Sequence, residues 1–191
     1  MTKRKEWMRA DVQGENAQGT TVSVSRPKGK SFAGQVLRNA SFEDRVLPQA
    51  NFNQADLFGA IFTHSNVKEG NFRGARIKQV DFRRAQLVEA NFQKSLCRLS
   101  NFEGALLIGA KFEGANCQEA IFYGADLREA RLLGADLQGA DFTASDLRGA
   151  VYNDKTTWPV DFSPLDHGAI PVQWEIRFID DDPDADDTDK A

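Results

Sequence analysis

Few residues in this chain could carry chemistry. It has two histidines, His64 and His167, and two cysteines, Cys97 and Cys117. A metal or redox site needs such side chains at short, set spacings. Neither histidine has a neighbouring Cys or His at ligand spacing, so no metal site is expected and His64 reads as a solvated surface residue. No nucleophile elbow, phosphate-binding glycine loop or His-Glu zinc motif is present, so no cofactor is expected. Asp136 and Asp141 could share acid–base work only in a pocket that raises one pKa. Their regular spacing points them outward instead. What the cysteines do depends on the repeat that contains them.

That repeat runs from Ser31 to Tyr152, with a large apolar residue every five positions: Phe32, Leu37, Phe42, Leu47, Phe52 and onward. There are 25 such centres, and 20 of them have Ala or Ser two residues before. A period of five fits neither a helix nor an alternating strand, so the chain must turn at each pentapeptide. If each pentapeptide is one side of a polygonal coil, the centre and the small residue point inward and the other three face water. Stacked coils then pair their backbones at about 4.8 Å, as parallel strands do.

Phe alternates with aliphatic centres, which adds a period of ten and makes the number of sides even. Four sides give about six coils of twenty residues. The spacing then predicts two aromatic ladders inside the rod, Phe52, Phe72, Phe92 and Phe112 on one side and Phe62, Phe82, Phe102 and Phe122 on the opposite one. Cys97 and Cys117 become inward centres one coil apart. They read as stacked core thiols acting as small fillers, since a strand spacing looks wide for an easy disulfide. Glycines such as Gly104, Gly109 and Gly114 fall at the last place of their pentapeptides, where they ease tight corners.

The signature Ala-(Asp/Asn)-Leu-X-X occurs as Ala-Asp-Leu-Phe-Gly at 55–59, Ala-Asp-Leu-Arg-Glu at 125–129, Ala-Asp-Leu-Gln-Gly at 135–139 and Ala-Asn-Phe-Gln-Lys at 90–94. On these motifs the chain resembles the pentapeptide-repeat family. The resemblance implies an all-β solenoid, a right-handed quadrilateral parallel β-helix. Lys30, Gln35 and Arg45 depart from it at the inward small place. An unpaired charge in an apolar bore is costly, so either the first coil is irregular or these side chains leave through the open end. Val80 is bulky for its place and predicts a local widening.

Four segments follow. Residues 1–30 are expected to form an N-terminal cap or arm, with a helical turn near Trp7 and Met8, a loop from Gly14 to Gly19 and an extended stretch from Thr20 to Ser25. Residues 31–152 form the β-helix. Residues 153–178 read as a C-terminal cap, with Trp158, Phe162, Leu165, Ile170, Val172 and Trp174 available to cover the last coil. The Thr-Thr-Trp-Pro-Val-Asp-Phe-Ser-Pro run resembles the segment that follows the repeats in cyanobacterial members of the family. Residues 179–191, rich in Asp, are expected to be a disordered acidic tail.

The net charge is −4, but seven aspartates and one lysine lie between Asp180 and Lys190, so the preceding residues balance to +2. No apolar run reaches the length of a membrane span or signal peptide, so a cytoplasmic protein is expected. A filled rod offers no cleft, which argues against an enzyme and places function on the outside. Lys68, Arg73, Arg76, Lys78, Arg83, Arg84, Lys94 and Arg98 make a basic belt that wraps several sides without interleaved aromatics, so nucleic acid is not the expected partner. Acidic residues gather toward the later coils (Asp126, Asp136, Asp141, Asp146). Some family members mimic duplex DNA with an acidic rod and bind DNA gyrase, which makes a topoisomerase-binding DNA mimic the alternative. Val88, Leu106 and Ile108 fall on adjacent coils of one side and form the candidate patch for a protein partner. The expected function is therefore a non-enzymatic interaction scaffold, with ends and faces also open to homodimer packing.

Overall fold

The computed structural model describes residues 12–15, 21–24 and 31–172. Near the start, strands β1 (Val12–Glu15) and β2 (Thr21–Val24) pair antiparallel, with Val12 opposite Val24 and Glu15 opposite Thr21. Gly14 therefore belongs to a strand and not to the predicted loop. The predicted turn at Trp7 and Met8 lies outside the described residues, as do Lys30, the end of the C-terminal cap (173–178) and the acidic tail.

From Ser31 onward, each residue before a centre bridges the residue twenty positions later, in parallel: Ser31 to Asn51, Val36 to Asp56, Ser41 to Ile61, Val46 to Asn66. Twenty residues and four such bridges per coil make a four-sided, right-handed parallel β-helix. We number the sides in chain order. Side 1 holds the centres Phe32 to Tyr152, side 2 Leu37 to Leu137, side 3 Phe42 to Phe142 and side 4 Leu47 to Leu147.

Backbone hydrogen bonding explains why five residues suffice for a side. The centre donates to the next coil (Phe72 N to Asn91 O, 2.7 Å), as does the residue two later (Gly74 N to Gln93 O, 2.9 Å). The next small residue closes a turn back to the centre (Ala75 N to Phe72 O, 3.0 Å), and its successor donates to the previous coil (Arg76 N to Ala55 O, 2.9 Å). One N–H per side remains, on the residue after the centre. An Asn or Asp before the centre accepts it, as Asn71 Oδ1 does from Arg73 N at 3.1 Å and Asn101 Oδ1 from Glu103 N at 2.8 Å. A buried or half-buried donor left unpaired is costly, so this bond is the physical reason for Asp or Asn in the signature. The corner residue has positive φ throughout, as type II turns require, whether it is glycine or a residue such as Gln79 (φ 60) or Glu89 (φ 58).

Inside, the two phenylalanine ladders are continuous. Phe52 and Phe72 stack at 5.0 Å, Phe72 and Phe92 at 4.9 Å, Phe92 and Phe112 at 4.8 Å; on side 3, Phe62 and Phe82, Phe82 and Phe102, and Phe102 and Phe122 each stack at 5.0 Å. The ladders meet edge to face across the axis, as Phe72 and Phe82 do at 5.5 Å. Both geometries suit the ring quadrupole. The bore is thereby filled.

Departures from the pattern have local solutions. The first coil keeps the regular bridges, and Gln35 and Arg45 are half-buried beside the open end. At Val80 the turn bond to Ile77 lengthens to 3.3 Å, against 3.0 Å at Ala75 and Ala85. Gly70 takes the small place where an added Cβ would sit 2.6 Å from Val67 Cγ1. Past Tyr152 the register gains one residue, since Asp136 bridges Thr157. Thr156 then donates its hydroxyl to Leu132 O at 2.8 Å, and Trp158 and Phe162 close over Phe142 with ring centroids at 5.6 and 5.1 Å. A 3-10 turn (Leu165–His167) leads through Gly168 (φ 81), whose carbonyl accepts from Gly149 N at 3.0 Å, to β4 (Ile170–Pro171). β4 pairs parallel with β3 (Val151–Tyr152) and completes the cover.

Candidate functional site

One expectation about the core is corrected. Cys97 and Cys117 are fully buried on side 2, as stacked inward centres, but they are joined as a disulfide and are not free thiols. Their Cα atoms lie 4.6 Å apart, inside the range a disulfide spans, so adjacent coils bring the two sulfurs together without distortion of the stack. The strand spacing expected to be wide for a disulfide falls within the range that the bond accepts.

The histidines stay apart. His64 is exposed at a left-handed corner of side 3 (φ 57), while His167 lies on the cap, its ring tilted against Phe162 at 4.5 Å with Nδ1 2.9 Å from Ser163 O. No group of His, Cys, Asp and Glu among the described residues could hold a metal ion, and none of their helices is long and apolar enough to cross a membrane. Asp136 and Asp141 sit on adjacent sides. Asp136 accepts from Gln118 Nε2 at 2.7 Å and Thr157 Oγ1 at 2.8 Å, and the hydrogen bonds from Thr143 hold Asp141 below the usual carboxylate range. Asp141 is thus moved away from the role of a general acid.

The outward places differ from side to side. On side 4, Leu106 is 42% exposed and bridges Gln86 below and Asp126 above, while Val88 and Ile108 are half-buried. Glu89 N donates to Ile108 O at 2.8 Å, so Val88 and Ile108 occupy the same place in neighbouring coils. The three predicted patch residues thus form one strip two coils tall, with charge at both ends. Below it lies Lys68, 3.7 Å from Glu69; above it Arg128 grips Asp126 at 2.7 Å. The Arg128 hydrogen bond holds Asp126 below its ordinary pKa, and the Arg148 guanidinium lowers Asp146 to about 2. Glu113 on side 1 is likewise paired with Arg131.

The basic belt divides among the sides. Arg73 and Lys94 lie on side 1, Arg83 and Arg84 on side 3 and Lys68 on side 4. Side 3 carries a mixed groove of about 410 Å³ in which Arg83 pairs with Asp81 at 2.7 Å. Side 2 collects Arg76, Lys78 and Arg98, and Arg38 of the first coil joins them, in a groove of about 450 Å³ that also includes Phe58 and Leu96. Reading the belt in sequence order missed Arg38 and its grouping. Sorting the cations by position modulo twenty would have found it.

A family model described as Pentapeptide repeats (8 copies) matches residues 36–74, 71–96, 85–116, 100–137 and 110–149, which together make up more than half of the chain. No curated protein matches the chain. Among solved structures, the chain is similar to HetL, a pentapeptide repeat protein involved in heterocyst differentiation regulation in the cyanobacterium Nostoc, with 25% identity over 63% of this chain and a TM-score of 0.29. The match spans 62% of the length of HetL. It is also similar to a pentapeptide repeat protein of the cyanobacterium Cyanothece (22% identity, 68% of this chain and 91% of that one, TM-score 0.32). A third similar protein comes from the thylakoid lumen of Arabidopsis thaliana (36% identity, 49% of this chain and 62% of that one, TM-score 0.30). With the four-sided coil and the Asp/Asn-capped turn already in place, the match to the repeats makes the assignment plain: the chain belongs to the pentapeptide repeat family.

Proposed function

We propose that this protein is a non-enzymatic interaction scaffold that binds a protein partner through an outer face of the rod, with Val88, Leu106 and Ile108 on side 4 as the contact. The observation that carries this reading is the continuity of the strip: the register sets three aliphatic side chains together on side 4, between a coil that offers Asn66, Lys68 and Glu69 below and one that offers Asp126, Arg128 and Glu129 above. An apolar centre with a charged rim is the usual anatomy of a protein-binding patch. Replacing Ile108 with Asp puts a charge at the centre of the strip. The Ile108→Asp protein is expected to keep its far-UV spectrum and to lose both self-association and partner capture. Capture that survives the substitution overturns the reading.

The DNA-mimic alternative draws less support. Asp126, Asp146 and Glu113 are held by Arg128, Arg148 and Arg131, which offsets the negative field such a mimic needs. Purified protein is accordingly expected to leave gyrase supercoiling uninhibited. A cytoplasmic location is likewise part of the proposal. Because disulfides persist mainly in oxidising compartments, its test is the state of Cys97 and Cys117 in protein trapped by acid from intact host cells, where the bonded form would count against it.

A further inference from the structure

Side 2 has more positive charge than it uses. Arg38 donates from Nε and Nη2 to Asp56 Oδ2 at 2.9 and 2.7 Å, and Arg98 is bound to Glu119 of the next coil. Arg76 and Lys78 lie between these pairs and have no anionic partner among the described residues. Two apolar side chains share the groove, Phe58 at 37% and Leu96 at 51% exposure. The surface therefore fits an extended segment that offers apolar side chains first and carboxylates after them.

The chain contains such a segment. Trp174, Ile176 and Phe178 alternate with Glu175 and Arg177, and seven aspartates follow between Asp180 and Asp189. We propose that residues 174–189 dock into the side 2 groove of their own molecule, with the apolar residues toward Leu96 and the aspartates on Lys78, Arg76 and Arg38. The reach is right. Val172 N donates to Tyr152 O at 2.8 Å, which places residue 172 on side 1, next to side 2 in chain order. Arg76 lies five coils lower, roughly 24 Å at a coil spacing of about 4.8 Å. Residues 173–179, extended, span about 24 Å, so Asp180 arrives at the level of the two unpaired cations. Opposite charges brought this close interact strongly at low salt and weakly when screened.

The test uses the full chain, labelled with nitrogen-15, beside a variant in which the seven aspartates are replaced by asparagine. The backbone amides of Arg76, Lys78, Leu96 and Arg98 are expected to shift between the two proteins, and those of Ile108 and Arg128 on side 4 to stay in place. Raising salt to about 0.5 M should move the wild-type groove amides toward the variant's positions. Arg76→Glu with Lys78→Glu should move the tail resonances. Should that double variant fail to fold, the asparagine comparison decides alone. Unchanged groove amides overturn the proposal. So do differences that grow with protein concentration, because they would assign the groove to the tail of a second copy.

Discussion

Sides 2 and 4 are made from the same backbone and enclose the same kind of aliphatic column, yet their outer surfaces have little in common. Inside side 2 run Leu37, Leu57, Ile77, the Cys97–Cys117 disulfide and Leu137; inside side 4 run Leu47, Val67, Leu87, Leu107, Leu127 and Leu147, nearly all fully buried. Outside, side 2 presents a cationic groove and side 4 an apolar strip closed by Arg–Asp pairs. The comparison teaches that the inward places fill the coil, while the outward places, apart from the capping Asp or Asn and the left-handed corner, vary from side to side. Each side buries two of its five residues and turns three outward, where recognition can be written.

The largest effects should ignore which side is touched. Ile77→Ala on side 2 and Leu87→Ala on side 4 each remove a fully buried side chain from the stack, and each is expected to cost about 2–5 kcal/mol in urea unfolding. A marked difference between them would break the equivalence of the two columns. Next comes the disulfide, which closes a loop of 20 residues and has no counterpart on side 4. The double change Cys97→Ala and Cys117→Ala should lower stability by about 3 kcal/mol, read by the same urea midpoints.

The smallest effect belongs to the acids of side 4. Asp146 has its folded pKa depressed by Arg148, so its contribution to stability is present above the ordinary carboxylate range and is lost as the pH falls toward about 2. The pair is largely exposed, and its share is correspondingly small. Melting curves of Asp146→Asn should therefore lie slightly below wild type at pH 6 and merge with it near pH 2.

Much of this architecture is legible in the sequence because a five-residue period forces a turn at every side, and the alternation of Phe with aliphatic centres makes their number even. Phe72 over Phe92 and Phe62 over Phe82 follow from counting alone. Other features need the third dimension. The period places Cys97 over Cys117, but whether they bond depends on tenths of an ångström and on the direction of both Cβ atoms. The role of Asn71 and Asn101 was visible only as a preference; the N–H that each satisfies appears once the other four backbone donors of the side are assigned. Arg38 and Arg98 are sixty residues apart in sequence, and only the coil brings them to one groove.

Leu107 and Ile108 are neighbours in sequence, one fully buried in the column of side 4 and the other in its outer strip. Measuring thermal stability and partner capture for Leu107→Ala and Ile108→Asp side by side tests most directly whether scaffold and recognition are separate. Leu107→Ala should lose about 2–5 kcal/mol and still capture the partner below its melting point, whereas Ile108→Asp should stay within about 0.5 kcal/mol of wild type and capture nothing. An Ile108→Asp protein that unfolds as readily as Leu107→Ala, or a pair that bind alike, would contradict the account.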